Sequence, residues 1–330
     1  MKIALITPAG TRSRSGNRHT AVRWAAMLRS LGHSVRIAVS WNGRPADAMI
    51  ALHARRSHAS IADFRRRHPE RPLVVVLTGT DLYRDIRSDR SARASLELAD
   101  RLVVLQDMGR LELGPRLRKK TRVIYQSAET HARPRSRSSA FRVALLGHLR
   151  DEKDPFRAAR ALAHLRDLPQ LEVLHLGEAL APEMAREAHR LMRGDARYRW
   201  VGGAPHRTAL KRLAESRLLV LSSRMEGGAN VICEAAAAGV PVLASRVSGN
   251  IGMLGRGYPG YYRLGDERAL ARLIRRAVFD PGYYARLKRL TAARRPLFLP
   301  AVERAGLRDL LAELRPQRSS SSRTGAKLRR

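Results

Sequence analysis

The property of this chain that most narrows its fold is a rhythm. Short β-branched and apolar runs, KIALITP, HSVRIAVS, AMIALHA, PLVVVLTG, RLVVLQ and RVIYQS, alternate with amphipathic stretches such as ARRSHASIADFRRRHP and SARASLELAD. Runs of that length read as strands and stretches of that period as helices. A β-α-β series of this kind predicts a parallel sheet with right-handed crossovers. The rhythm lapses at residues 128–140, AETHARPRSRSSA, where polarity, Pro and Ser predict a linker. It resumes with FRVALLGHL, LEVLHLGEA, YRWVGG, SRLLVLSS and VPVLASR, separated by helices such as DPFRAARALAHLRD and HRTALKRLAESR. The expectation is therefore an α/β chain of two tandem Rossmann-like, doubly wound parallel-sheet domains facing a cleft. They span residues 1–127 and 141–314, the second with C-terminal helices, and residues 315–330 form a disordered basic tail. Ligands of such sheets bind beyond the carboxyl ends of the strands, so the loops there are where chemistry should lie.

Composition removes several function classes. No apolar run approaches the roughly 18 residues of a membrane span, and MKIALITPAGTRSRSG reads as a first strand and not as a signal peptide. A cytoplasmic location is expected. The net charge of +35 would attract polyanions and small anions alike. Nearly all of the excess is Arg spread along helices, and aromatics make up only 5%, which argues against a specific nucleic-acid reader. Cys233, the single cysteine, sits between Ile232 and Glu234 as a small buried residue would. No spacing of His, Cys, Asp or Glu predicts a metal site, and no cofactor is expected.

The densest local signal is SSRMEGGANVICEAAAAGVPVLAS, residues 222–245. SRLLVLSS ends a strand, so Glu226 falls in a loop at the ligand-bearing edge. Gly227 and Gly228 let backbone N–H groups approach a ligand. Asn230 is a plausible N-cap, and VICEAAAAG is a helix closed by Gly239 and blocked by Pro241. A helix N-terminus behind glycines suits phosphate. Glu226 on one flank and Glu234 about one turn inside the helix give two carboxylate acceptors around a diphosphate.

The run E-G-G-A-N-V-I-C-E-A-A-A-A-G-V-P-V, with seven residues between its glutamates, resembles the signature of the GT-B glycosyltransferases of the large retaining family 4. The resemblance implies that Glu226 holds donor-sugar hydroxyls, that Gly227, Gly228 and Ala229 meet sugar and diphosphate, and that Glu234 binds the ribose of a nucleotide-sugar. It extends over the chain: L-G-H-S-V ends the first helix, and A-D-R-L-V-V-L matches the strand before the interdomain region. The family places an Arg and a Lys after the first strand of the second domain to neutralise the diphosphate. In G-H-L-R-D-E-K-D-P the Lys is Lys153, while His148 stands at the Arg position and Arg150 follows two residues on. Either supplies the second cation. Gly202, at the end of YRWVGG, joins the donor set, and Glu226, Lys153 and, from the first domain, Asp81 are candidates for catalysis.

The first domain should bind the acceptor. T-R-S-R-S-G-N-R-H after the first strand brings Arg12 to Arg18 together, with Gly16 and Asn17 just before a helix. IALHARRS places His53, Arg55 and Arg56 after the third strand, where guanidinium groups suit oxyanions. LTGTDLY puts Thr80 and Asp81 at the cleft; Asp81 binds donor hydroxyls, orients the acceptor, stabilises charge at the anomeric carbon or caps the next helix. Taken together, A-L-H-A-R-R-S, V-V-L-T-G-T-D-L-Y-R-D-I, L-V-V-L-Q and G-H-L-R-D-E-K-D-P look like a narrower subgroup, the selenosugar synthases of selenoneine biosynthesis. That implies transfer of glucose or N-acetylglucosamine from a UDP-sugar to selenophosphate, whose ionised selenium needs no general base. An ordinary hexosyl transfer to a hydroxyl is the same-fold alternative, and a basic nucleic-acid-binding protein the rival of another class.

Overall fold

The structure, a computed structural model, describes residues 1–11, 13, 15–129 and 140–314. Most of the expected linker and all of the expected tail at 315–330 lie outside the described residues, as do Arg12 and Arg14. Among the described residues, strands β1 (Lys2–Ile6), β2 (Ser34–Ala38), β3 (Ala48–Leu52), β4 (Leu73–Leu77), β5 (Arg101–Val104) and β6 (Thr121–Val123) form a six-stranded parallel sheet in the order β2-β1-β3-β4-β5-β6. Strands β7 (Phe141–Leu146), β8 (Leu171–Leu176), β9 (Tyr198–Trp200), β10 (Leu218–Leu221), β11 (Val242–Ser245) and β12 (Tyr261–Tyr262) form a second, ordered β12-β11-β10-β7-β8-β9. The expected α/β doubly wound architecture is present twice. Strand order reverses between β1 and β3 in one sheet and between β7 and β10 in the other. Those are the points where such sheets open a crevice at their carboxyl ends.

The packing follows from the apolar runs. Every residue of AMIAL in β3 and of LVVVL in β4 is buried, as strands covered on both faces require. One face packs Phe64, Ile61 and Trp41; the other packs Trp24, Leu28 and Leu5. The second sheet shares its core with the helix Asn230–Ala238 through Ile232, Cys233 and Ala235. Gly239, at φ 66°, ends that helix in the left-handed conformation, and Val240 N–H donates to Ala235 O at 2.9 Å.

Two expectations change. Asn230 is the first helical residue and not the cap; Ala229 holds the cap position, and no side chain caps the helix. The C-terminal helix, Pro300–Glu313, puts its apolar face on the first domain: Leu307, Leu310 and Leu311 join the core around Ile3, Leu5 and Trp24. Buried Glu303 fixes it there, accepting from Arg23 Nε at 2.8 Å, Trp24 Nε1 at 2.7 Å and Ser127 N at 2.9 Å. Ala128 N–H donates to Phe298 O at 3.1 Å, so the outgoing and returning chain lie side by side.

Candidate active site

The two sets of strand-end loops enclose a cleft of about 560 Å³, within the usual range for a small-molecule site. On the side of the second domain, the loop after β7 is set by backbone contact. A Cβ on Gly177 would stand 1.8 Å from Gly147 O, so only glycine admits that approach. His175, buried in β8, bridges beneath it: Nδ1 accepts from Tyr198 Oη at 2.9 Å, and Nε2–H donates to Gly147 O at 3.2 Å. Burial lowers its pKa from 6.5 to about 4, so the ring is neutral at ordinary pH. The loop continues through His148, whose Nδ1 accepts from Glu178 N–H at 3.2 Å, to Arg150. The buried Nε of Arg150 has no hydrogen-bond partner among the described residues.

Lys153 and Glu226 meet. Lys153 Nζ and Ser223 Oγ each donate to Glu226 Oε1 at 2.5 Å, with Glu226 only 7% exposed. The two donors satisfy an enclosed carboxylate oxygen, and the Lys153–Glu226 contact pairs the ammonium with a counter-charge. One cation and one acceptor thus sit together in the cleft, between the loop after β7 and the loop after β10.

Beyond Glu226 the two glycines line the cleft and also lie against the other domain. Neither has a positive φ. A Cβ on Gly227 would lie 2.3 Å from both C and O of Thr78, and one on Gly228 would lie 2.5 Å from Leu105 Cβ. The glycines let the loops of the two domains touch. Gly252 repeats the device, its absent Cβ falling 1.7 Å from Gln106 Oε1. Asn230 then opens its helix toward Gly16, where a Cβ would stand 3.7 Å from Asn230 Nδ2. Since Gly16 begins the helix Gly16–Ser30, also without a side-chain cap, two helix N-termini converge on the cleft. Glu234, one turn on, accepts from His206 Nε2 at 2.8 Å, which raises the His206 pKa above its ordinary value.

The wall from the first domain is built around His53, a buried non-glycine residue at φ 73°. Its Nδ1 accepts from Arg56 N–H at 3.3 Å, so in the neutral ring Nε2–H donates to Thr80 Oγ1 at 2.9 Å. That leaves the Thr80 hydroxyl hydrogen for another partner. Gly16, Asn17, His53, Arg56 and Thr80 line the cleft, as do His148, Arg150, Lys153, Glu226, Gly227, Gly228, Ala229, Asn230 and Glu234.

Three expected site residues do not line it. Asp81 is fully buried, and its carboxylate accepts from the N–H groups of Ala54, Thr78, Gly79 and Leu82 at 2.8–3.1 Å. It shapes the Thr78–Thr80 loop and has no face for a substrate. Arg55 points away, with Nε 3.0 Å from Asp89 and NH1 3.8 Å from Asp85. Gly202, at φ 72°, turns the chain with its carbonyl bound to Gly177 N–H, and its neighbour Gly203 lines the cleft instead. Sequence reading also missed residues that matter here. His206 and Gln126 line the cleft, and His175 supports it. His175 carried the one available signal, an imidazole inside the apolar strand LEVLHL. Among the described residues no helix is long and apolar enough to cross a membrane, and no three His, Cys, Asp or Glu are grouped as metal ligands.

Several solved structures share this architecture. HepE of Anabaena, in complex with UDP, superposes with a TM-score of 0.76 at 17% identity, over 95% of this chain and 100% of that one. Sucrose-phosphate synthase from Thermosynechococcus elongatus gives 0.75 at 17% identity, over 95% and 98%. The pneumococcal O-GlcNAc transferase GtfA, in complex with UDP and GlcNAc, gives 0.66 at 17% identity, over 89% of this chain and 60% of that one. At such identities the likeness is one of fold, and the fold is GT-B. No curated protein sequence matches the chain. Residues 126–294, just over half of it, match the profile of the family described as Glycosyl transferases group 1. Those residues carry the whole of the second sheet, the Lys153–Glu226 pair and Glu234, and the chain belongs to the group 1 glycosyl transferases.

Proposed function

We propose that the protein transfers a hexose, glucose or N-acetylglucosamine, from its UDP form to selenophosphate, giving a selenosugar. The observation that carries the donor half is the Lys153–Glu226 pair in a cleft also lined by Gly16 and Asn230, the first residues of two helices without side-chain caps. A nucleoside diphosphate sugar brings negative charge for Lys153, Arg150 and the Asn230 helix, sugar hydroxyls for Glu226, and ribose hydroxyls for Glu234. As the bond from the anomeric carbon to the diphosphate breaks, the leaving oxygen gains charge that Lys153 and the helix amides stabilise in place. Structures of the same fold in complex with UDP, with UDP-glucose and with UDP and GlcNAc support that donor class.

The acceptor half rests on the resemblance of A-L-H-A-R-R-S and V-V-L-T-G-T-D-L-Y-R-D-I to selenosugar synthases and on the character of the opposite wall. Arg56, the Gly16 helix and the Thr80 hydroxyl offer donors to a small oxyanion. His53 has both ring nitrogens engaged, which suits a nucleophile that arrives ionised and needs no base. Selenium attacks the anomeric carbon and the bond to the diphosphate breaks, UDP leaving with the electron pair. Water then cleaves the Se–P bond to give phosphate and the selenol.

The test is an anaerobic reaction of the purified protein with selenophosphate and a mixture of UDP-glucose and UDP-N-acetylglucosamine, read by mass spectrometry. A selenium isotope pattern on a hexose or N-acetylhexosamine, with matching UDP release, is expected. UDP release with no selenium in the sugar product overturns the acceptor and favours a hydroxyl. No UDP release under any acceptor overturns the donor class as well.

A further inference from the structure

His206 belongs to no motif, yet it stands at a point where the two domains and a candidate ligand residue meet. It opens the helix His206–Ala214 and lines the cleft with its side chain about half exposed. Its Nε2 is 2.8 Å from Glu234 Oε1. An ionised carboxylate only accepts, so the imidazole must be the donor. From the other domain comes His19, three residues into the Gly16–Ser30 helix, whose ring lies 5.1 Å from that of His206 at a tilt of 41°. His19 lines the cleft too.

This chain of three side chains has a use that follows from the flexibility of glutamate. A glutamate side chain has three rotatable torsions, and a ribose presents two hydroxyls that need an acceptor fixed in direction. A donor holding one carboxylate oxygen removes that freedom before the ligand arrives and leaves the other oxygen, Oε2, for the ribose. We propose that His206 is a positioning residue of the donor site: it pins Glu234 for the ribose hydroxyls, and His19 seats the His206 ring from the opposite domain. The proposal rests on the donor reading above, in which Glu234 faces the ribose. Its consequence is that the ribose is read by a residue of one domain whose orientation is set by a residue of the other. The helix that offers its N-terminus to the acceptor thereby also steadies the donor.

The experiment compares calorimetric binding of UDP and of 2′,3′-dideoxy-UDP to wild type, H206A, H206Q, H19A and the H19A/H206A double variant, with melting temperatures alongside. Wild type should prefer UDP by roughly tenfold or more, the worth of a hydrogen bond to a charged group. H206A should lose most of that preference at an unchanged melting temperature. H206Q, whose amide can donate to the same oxygen, should restore it, which a loss of packing alone would not permit. H19A should lower the preference in the wild-type background and add nothing to H206A. An H206A protein that still distinguishes the two nucleotides overturns the proposal and leaves the donor reading standing. Wild type that fails to bind UDP, or binds both nucleotides equally, overturns both.

Discussion

Arg55 and Arg56 are adjacent in sequence and opposite in environment. Their order along HARRS is equivalent to the eye; what separates them is Asp85 and Asp89, which take Arg55 and leave Arg56 to the cleft. If the acceptor is the proposed selenophosphate, Arg56→Ala should therefore raise its KM by roughly tenfold or more, the loss of one charge-assisted contact. Arg55→Ala should change it little, and steady-state kinetics of the two variants decides. Asp81 teaches the same lesson: a carboxylate at a strand end was legible as important, but not that four backbone N–H groups would consume it. His175 makes a pH-dependent statement. Its folded pKa of about 4 lies below the ordinary 6.5, so the unfolded chain binds the extra proton between those values. The stability it contributes is complete above pH 6.5 and is lost as pH falls toward 4, by up to about 3 kcal/mol. Denaturant titrations from pH 7.5 to 4 should show a shallower acid loss in His175→Leu than in wild type.

At the scale of elements, long features were legible and short ones were not. β3 and β4 announce themselves as five-residue apolar runs, whereas β12 is only Tyr261–Tyr262 and carries no period to read. The segment 222–245 was legible as strand, turn and helix, but the second neighbour of its glycines was not. Sequence displays what a glycine lacks and not what fills the space. Here Thr78 and Leu105 of the other domain fill it. Gly227→Ala should thus act on the seating of one domain against the other. We expect kcat/KM to fall by roughly 100-fold, as a misplacement of about 1 Å can cost, while the melting temperature moves little. Loss of the fold instead would refute that account. The helix Gly16–Ser30 and the helix Asn230–Ala238 were each legible alone; that they point at one another was not, because facing is a property of two domains.

For the whole molecule, the alternating pattern predicted two sheets and a cleft, and both are present. The pattern had no means of placing the last helix, since an amphipathic stretch states that it has an apolar face and not which core receives it. Leu307, Leu310 and Leu311 go to the first domain. A single cut between residues 130 and 139, where the expected linker lies, should leave two fragments that travel together in gel filtration under native conditions. Separation of the fragments without denaturant would show that the last helix is not held as described.

The paired crossing at Ser127–Ala128 and Phe298–Glu303 bears on how such a cleft can open. A door hung from one cord can swing, twist and slide. When two lengths of chain pass between the halves at the same place and are tied to each other there, sliding and twisting are resisted and swinging remains. On that reasoning the lip of the cleft can gape while its hinge edge stays shut, and a ligand would enter at the lip.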